Sequence, residues 1–79
     1  MNKAVKIKLV KVSRIKISDE MKATYPKAGK LWHKYTYYLE NGRFESKVVL
    51  DKHMVLKDGY TTYLLAKLFG VNKLEVTII

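Results

Sequence analysis

The stretch that most constrains this chain is "DGYTTYLLAKLFGV", from Asp58 to Val71. Between Gly59 and Gly70, the run from Tyr60 to Phe69 offers only Thr61, Thr62 and Lys67 as polar positions. A helix of that composition has no wide solvent face, so the fold must bury most of its surface. Gly70 reads as the helix stop, with Val71 placed for the hydrophobic contact of a Schellman ending. Gly59 has two readings: a tight turn with close packing, or a gap through which a phosphate reaches the backbone.

The rest of the chain has to supply the cover for that helix. "AVKIKLVKVSRIKIS" reads as strand, with Val5, Ile7 and Leu9 alternating with Lys6 and Lys8. The alternation slips near Val10, which predicts a bulge or break before Ile15 and Ile17. "SDEMKATYPKAG" reads as a polar connection, and Pro26 suits the first turn of a helix. That helix is expected from about Lys27 to Glu40, with Leu31, Tyr35, Tyr38 and Leu39 on its apolar face. Asn41-Gly42 ends it, and Gly29 weakens its start.

"KVVLD" and "VLK" read as two short strands, hairpin-paired around "DKHM", and "LEVTII" as a last strand with Leu74, Val76 and Ile78 on one face. The order strand, helix, strand, strand, helix, strand gives an α+β domain over residues 1–79. The two main helices are expected to pack on a short sheet, mixed or antiparallel.

Composition then narrows the function. Sixteen basic and seven acidic residues leave a net charge of +9, which attracts polyanions, nucleic acid foremost. The structural alternative is a solubility device or an acidic protein partner. The chain has no cysteine, so thiolate metal sites and disulfides are excluded and a cytoplasmic location is expected. No apolar run reaches the roughly 18 residues of a membrane span, and the N-terminus lacks the apolar centre of a signal peptide. No membrane association is expected.

"VVLDKHMVLKDGYTTYLLAKLFGVNKLEV" resembles the N-terminal domain of ParB-like proteins, a superfamily shared with sulfiredoxin. Gly59 matches the motif glycine, Ala66 the second alanine, Phe69-Gly70 the Leu-Gly, and Leu74-Glu75-Val76 the closing strand. "VSRIKIS" and "GRFESKVVLD" resemble the segments that precede the motif. The similarity covers roughly residues 10 to 79 and is strong from Phe44 onward. In the family, arginines after the glycine clamp nucleotide phosphates, and sulfiredoxin adds a catalytic cysteine. Here Thr61 and Thr62 stand at the arginine positions and there is no cysteine. A threonine cannot make the bidentate, charge-assisted bonds of a guanidinium.

The resemblance implies a small ParB/sulfiredoxin-like domain with a degenerate phosphate loop at Asp58, Gly59, Tyr60, Thr61 and Thr62. Asp58 is expected to cap the helix with its carboxylate, in the place where the family would hold an anion.

The remaining candidates are surface residues. Lys6, Lys8, Lys11, Arg14, Lys16, Lys30, Lys34 and Arg43 would contact nucleic-acid phosphates without sequence readout. Trp32 and Tyr37, interleaved with cations in "KLWHKYTYYLENGR", are candidates for base stacking or partner contact. Trp32 reads equally as a core anchor. His33 and His53 lack companion ligands, so no metal is expected. Asp51 and Asp58 flank the hairpin and read as turn and cap residues rather than paired nuclease carboxylates.

No cofactor and no catalytic residue is assigned. The leading expectation is a non-enzymatic basic protein that contacts DNA or RNA electrostatically. The alternative is a protein-binding inhibitor of the phage or mobile-element, anti-CRISPR type. A third is residual nucleotide-binding or nuclease activity. Trp32 and the N-terminal strand are candidate surfaces for a homodimer.

Overall fold

The computed structural model describes residues 6–79. Ala4 and Val5, expected in the first strand, lie outside the described residues. Among the described residues there are four strands: β1 (Lys6–Lys11), β2 (Val48–Leu50), β3 (Leu56–Asp58) and β4 (Lys73–Ile78). Three α-helices accompany them there: α1 (Asp19–Lys22), α2 (Ala28–Asn41) and α3 (Tyr60–Phe69). The sheet is mixed, in the order β1-β4-β2-β3, with β1 and β3 antiparallel to their neighbours and β2 parallel to β4.

α3 packs against β2 and has the burial its composition demands. Thr61, Thr62, Tyr63, Leu65 and Ala66 are all buried. It meets a core of Val10, Val48, Leu50, Leu56, Leu74 and Val76, all on one face of the sheet. Complete burial of a Leu such as Leu50 or Leu56 stabilises by about 1.5–3 kcal/mol. Gly70 closes the helix at φ 72°, and the Val71 N–H donates to the Ala66 carbonyl at 2.8 Å, the long bond of a Schellman ending. Gly42 ends α2 in the same left-handed region at φ 70°.

The β2–β3 hairpin turns on Asp51. Its Oδ1 accepts the N–H groups of His53 at 2.8 Å and Val55 at 3.0 Å. These bonds, that from Val55 foremost, hold the carboxyl below its ordinary value, helped by the nearby Lys57 charge.

Several expectations need correction. Ile7 and Leu9 do not face the core; they are 61% and 67% exposed. Val10 pairs with Leu74, and the same register sets Lys8 opposite Val76 and Lys6 opposite Ile78. Because Leu74 and Val76 face the helices, strand alternation places Lys6 and Lys8 on that side and Ile7 and Leu9 on the other. The strand stops at Lys11, and Val12–Arg14 forms a 3-10 turn that sinks Val12 and Ile15 into the core. This is the break that the slipping alternation predicts.

The polar connection contains a one-turn helix, α1, whose N-terminus is capped by Ser18 accepting the Met21 N–H at 3.1 Å. Pro26 precedes the N-cap residue Lys27 rather than occupying the first turn of α2. Leu39 is exposed, whereas Tyr35 and Tyr38 turn toward α3 and stack around Phe69 with Phe44. Trp32 is 65% exposed and stacks on Tyr35, so it is not a core anchor.

Candidate functional site

The start of α3 forms the floor of a cleft of about 700 Å³. α2 contributes Lys30 and Lys34 to its wall, the segment before β2 contributes Ser46 and Lys47, and β3 contributes Lys57 and Asp58. Four lysines and one carboxylate therefore converge on the beginning of one helix.

Gly59 makes this possible by its backbone. It sits at φ 93°, a conformation that L side chains rarely adopt. A Cβ there would lie 2.7 Å from the Lys47 carbonyl oxygen and 2.9 Å from Val48 Cα. The glycine lets α3 begin directly against Lys47 and Val48, where β2 starts.

Asp58 does not cap α3. Gly59 itself is the N-cap residue, and no side chain accepts from the first turn. The Asp58 Oδ1 accepts only the Gly59 N–H, at 2.9 Å. The reason is the left-handed turn at Gly59, which leaves Asp58 one residue outside the capping position. The N–H groups of Tyr60, Thr61 and Thr62 thus have no partner among the described residues, and all three residues line the cleft. Free N–H groups and the positive end of the helix dipole favour an anion there.

The two threonines at the arginine positions are drawn into the fold, 5% and 2% exposed. The Thr62 hydroxyl donates to the Ser46 carbonyl at 3.4 Å. Lys34 is held in place: its Nζ donates to Ser46 Oγ and lies 3.3 Å from Glu45 Oε1. The bond from Lys34, reinforced by its charge and by His33 at 3.4 Å, holds the Glu45 carboxyl below its ordinary range. Lys57 sits 3.7 Å from Asp51. Lys30 and Lys47 make no ion pair among the described residues.

The structure brings together only part of the cationic set read from the sequence. Lys30 and Lys34 line the cleft, and Arg43 lines an adjoining one that shares Ser46, Lys47 and Thr62. Arg43 also lies 5.9 Å over the ring of Tyr37, so Tyr37 is engaged within the chain. Lys6, Lys8 and Lys11 belong to the opposite edge of the sheet, Arg14 to the 3-10 turn, and Lys16 to a bridge with Val55 beside β3. Lys47 and Lys57 were missed. The signal for both was their place immediately before a strand and at the motif's aspartate, in "SKVVL" and "LKDG". Among the described residues no group of three or more His, Cys, Asp or Glu side chains is placed to hold a metal ion.

No protein-family model and no curated protein matches this chain. Solved structures do. The chain superposes on the C2221 form of a pNOB8-like ParB N-domain with a TM-score of 0.81 at 22% identity, covering 99% of this chain and 31% of the other. A second structure of the pNOB8-like ParB N-domain gives 0.79 at 23% identity, covering 99% of this chain and 29% of the other. The fold is that of a ParB N-domain, and the chain spans under a third of the length of those proteins.

Proposed function

We propose that this ParB N-domain-like fold acts as a non-enzymatic, phosphate-binding domain that contacts the nucleic-acid backbone through the lysine-lined cleft. The single observation that carries the reading is the convergence of Lys30, Lys34, Lys47 and Lys57 on the uncapped start of α3. One phosphate on the helix N–H groups, with flanking phosphates on the lysines, uses every element of that geometry. The net charge of +9 supplies long-range attraction. Lysines bonding phosphate oxygens carry no sequence information, so the contact read here is by charge and not by sequence.

The similarity to ParB N-domains in fold supports a DNA-contacting or partition-related role. The test is a titration of a labelled random-sequence duplex, with amide shifts followed at Tyr60, Thr61 and Thr62. Binding that weakens steeply between low and physiological salt and moves those three amides supports the reading. Shifts confined to β1 would place the contact elsewhere.

A second reading is favoured by the concave shape of the same cleft, which is within the range of small-molecule sites. A nucleoside triphosphate would use the same N–H groups and lysines. Turnover is not expected, because Thr61 and Thr62 stand where the resembled family has phosphate-clamping arginines and the Asp51 carboxylate is committed to its turn. Competition decides between the two: a triphosphate that binds the cleft and leaves duplex affinity unchanged would favour the nucleotide.

A further inference from the structure

The two edges of the sheet are finished differently. Beside β3, the Lys16 N–H donates to the Met54 carbonyl at 2.9 Å and the Leu56 N–H to the Lys16 carbonyl at 2.8 Å. A bridge from Lys16 to Val55 closes that side. β1, at the other edge, has β4 on one side and no strand on the other among the described residues.

The hydrogen-bond phase of β1 can be read from its end. The Val12 N–H donates to the Asn72 carbonyl at 2.9 Å, in register with Val10 opposite Leu74 and Lys8 opposite Val76. Antiparallel alternation then turns the backbone groups of Lys6, Lys8 and Val10 toward β4, and those of Ile7, Leu9 and Lys11 outward. Ile7 and Leu9, whose outward backbone groups have no partner among the described residues, also carry apolar side chains exposed on the face away from α3. On the other face, Lys6 and Lys8 are exposed beside Ile78 and Val76.

We propose that β1 is a docking edge for an extended segment of a partner protein in which acidic and apolar residues alternate. A strand added here would bond the outward N–H and C=O groups of Ile7 and Leu9. Its apolar side chains would cover Ile7 and Leu9, and its carboxylates would lie opposite Lys6 and Lys8, with a further acid opposite Lys11. Charge selects this occupant over a second copy of the chain. Pairing β1 with itself would gather Lys6, Lys8 and Lys11 from both copies into one ribbon, and neither strand contains an acid. The surface is separate from the cleft at α3, which lies toward the β3 edge of the sheet.

The probe is a synthetic peptide of alternating glutamate and valine, about as long as one strand, set beside a scrambled peptide of the same composition. Amide exchange is followed on the whole protein. The expected result is tighter binding of the alternating peptide, with new protection at Ile7, Leu9 and Lys11. Leu9→Pro removes one outward N–H while leaving the Val10 bonds to β4, and should weaken binding about tenfold or more. Should that variant fail to fold, Lys6→Glu with Lys8→Glu serves instead, since both positions are exposed. It should lose the glutamate peptide and gain a lysine–valine one. Equal binding of the scrambled peptide, or protection away from β1, overturns the proposal. So does dimerisation of the free protein that already protects Ile7 and Leu9, which would name a second copy as the occupant.

Discussion

The Cα of Gly59 is seated against the backbone of Val48, so closely that a Cβ on the glycine would stand 2.9 Å from Val48 Cα. The contact joins the start of the central helix to β2, and it positions Lys47 over the first turn of α3.

Gly59→Val should therefore destabilise the domain. The strained φ of 93° alone is worth about 1–3 kcal/mol for a residue with a Cβ. The clash adds to this, because the neighbouring atoms are backbone and cannot swing away. In a domain this small the loss is a large part of the total. A thermal melt checks it; a variant that melts with the parent would show that the helix start can shift freely.

Gly29 should behave oppositely. It lies in the first turn of α2, and a Cβ there would meet nothing within 4 Å. Gly29→Ala is expected to stabilise by roughly 0.5–1 kcal/mol through backbone entropy. A denaturant titration of the variant beside the parent reads the sign directly.

The two glycines illustrate what was legible in the sequence. The order of the strands and the two main helices, the α3 boundaries, the stop at Gly70 and the hairpin around Asp51 all follow from local pattern and turn chemistry. The facing of β1 does not. Its alternation of lysine with Ile7 and Leu9 imitates a core strand, and only the pairing of Val10 with Leu74 sets the true phase. The cleft was half legible. Lys30 and Lys34 stand out in an aromatic, basic helix, whereas Lys47 and Lys57 are marked just by their places beside a strand and the motif's aspartate, and the fold brings them to the site. The cap was misread because Asp58 precedes an apolar helix, as a cap should, yet the left-handed Gly59 intervenes.

Acid should loosen the cleft wall. The Glu45 carboxyl is held below its ordinary 4.5 by the hydrogen bond from Lys34, and Asp51 below its ordinary 3.8 by the bond from Val55. A depressed folded value means that the stabilising contribution is fully present above the ordinary value. It is lost as pH falls through the lowered one. NMR titration of the two carboxyls should find both midpoints below the ordinary values. Lys34→Ala should return Glu45 toward 4.5 and leave Asp51 where it is. A Glu45 midpoint that ignores Lys34 would show that the ion pair does not persist in solution.

The phosphate-binding cleft is tested most directly by the salt dependence of duplex affinity for the parent and for a Lys30→Gln, Lys47→Gln variant. Both lysines are exposed and neither is paired among the described residues, so the fold should survive their loss. If each holds a phosphate, the log–log slope of affinity against salt should become shallower by about one per lysine removed. Affinity should fall by the same factor on unrelated sequences. A variant with the parent's slope and affinity, or a parent that binds no duplex even at low salt, would contradict the account.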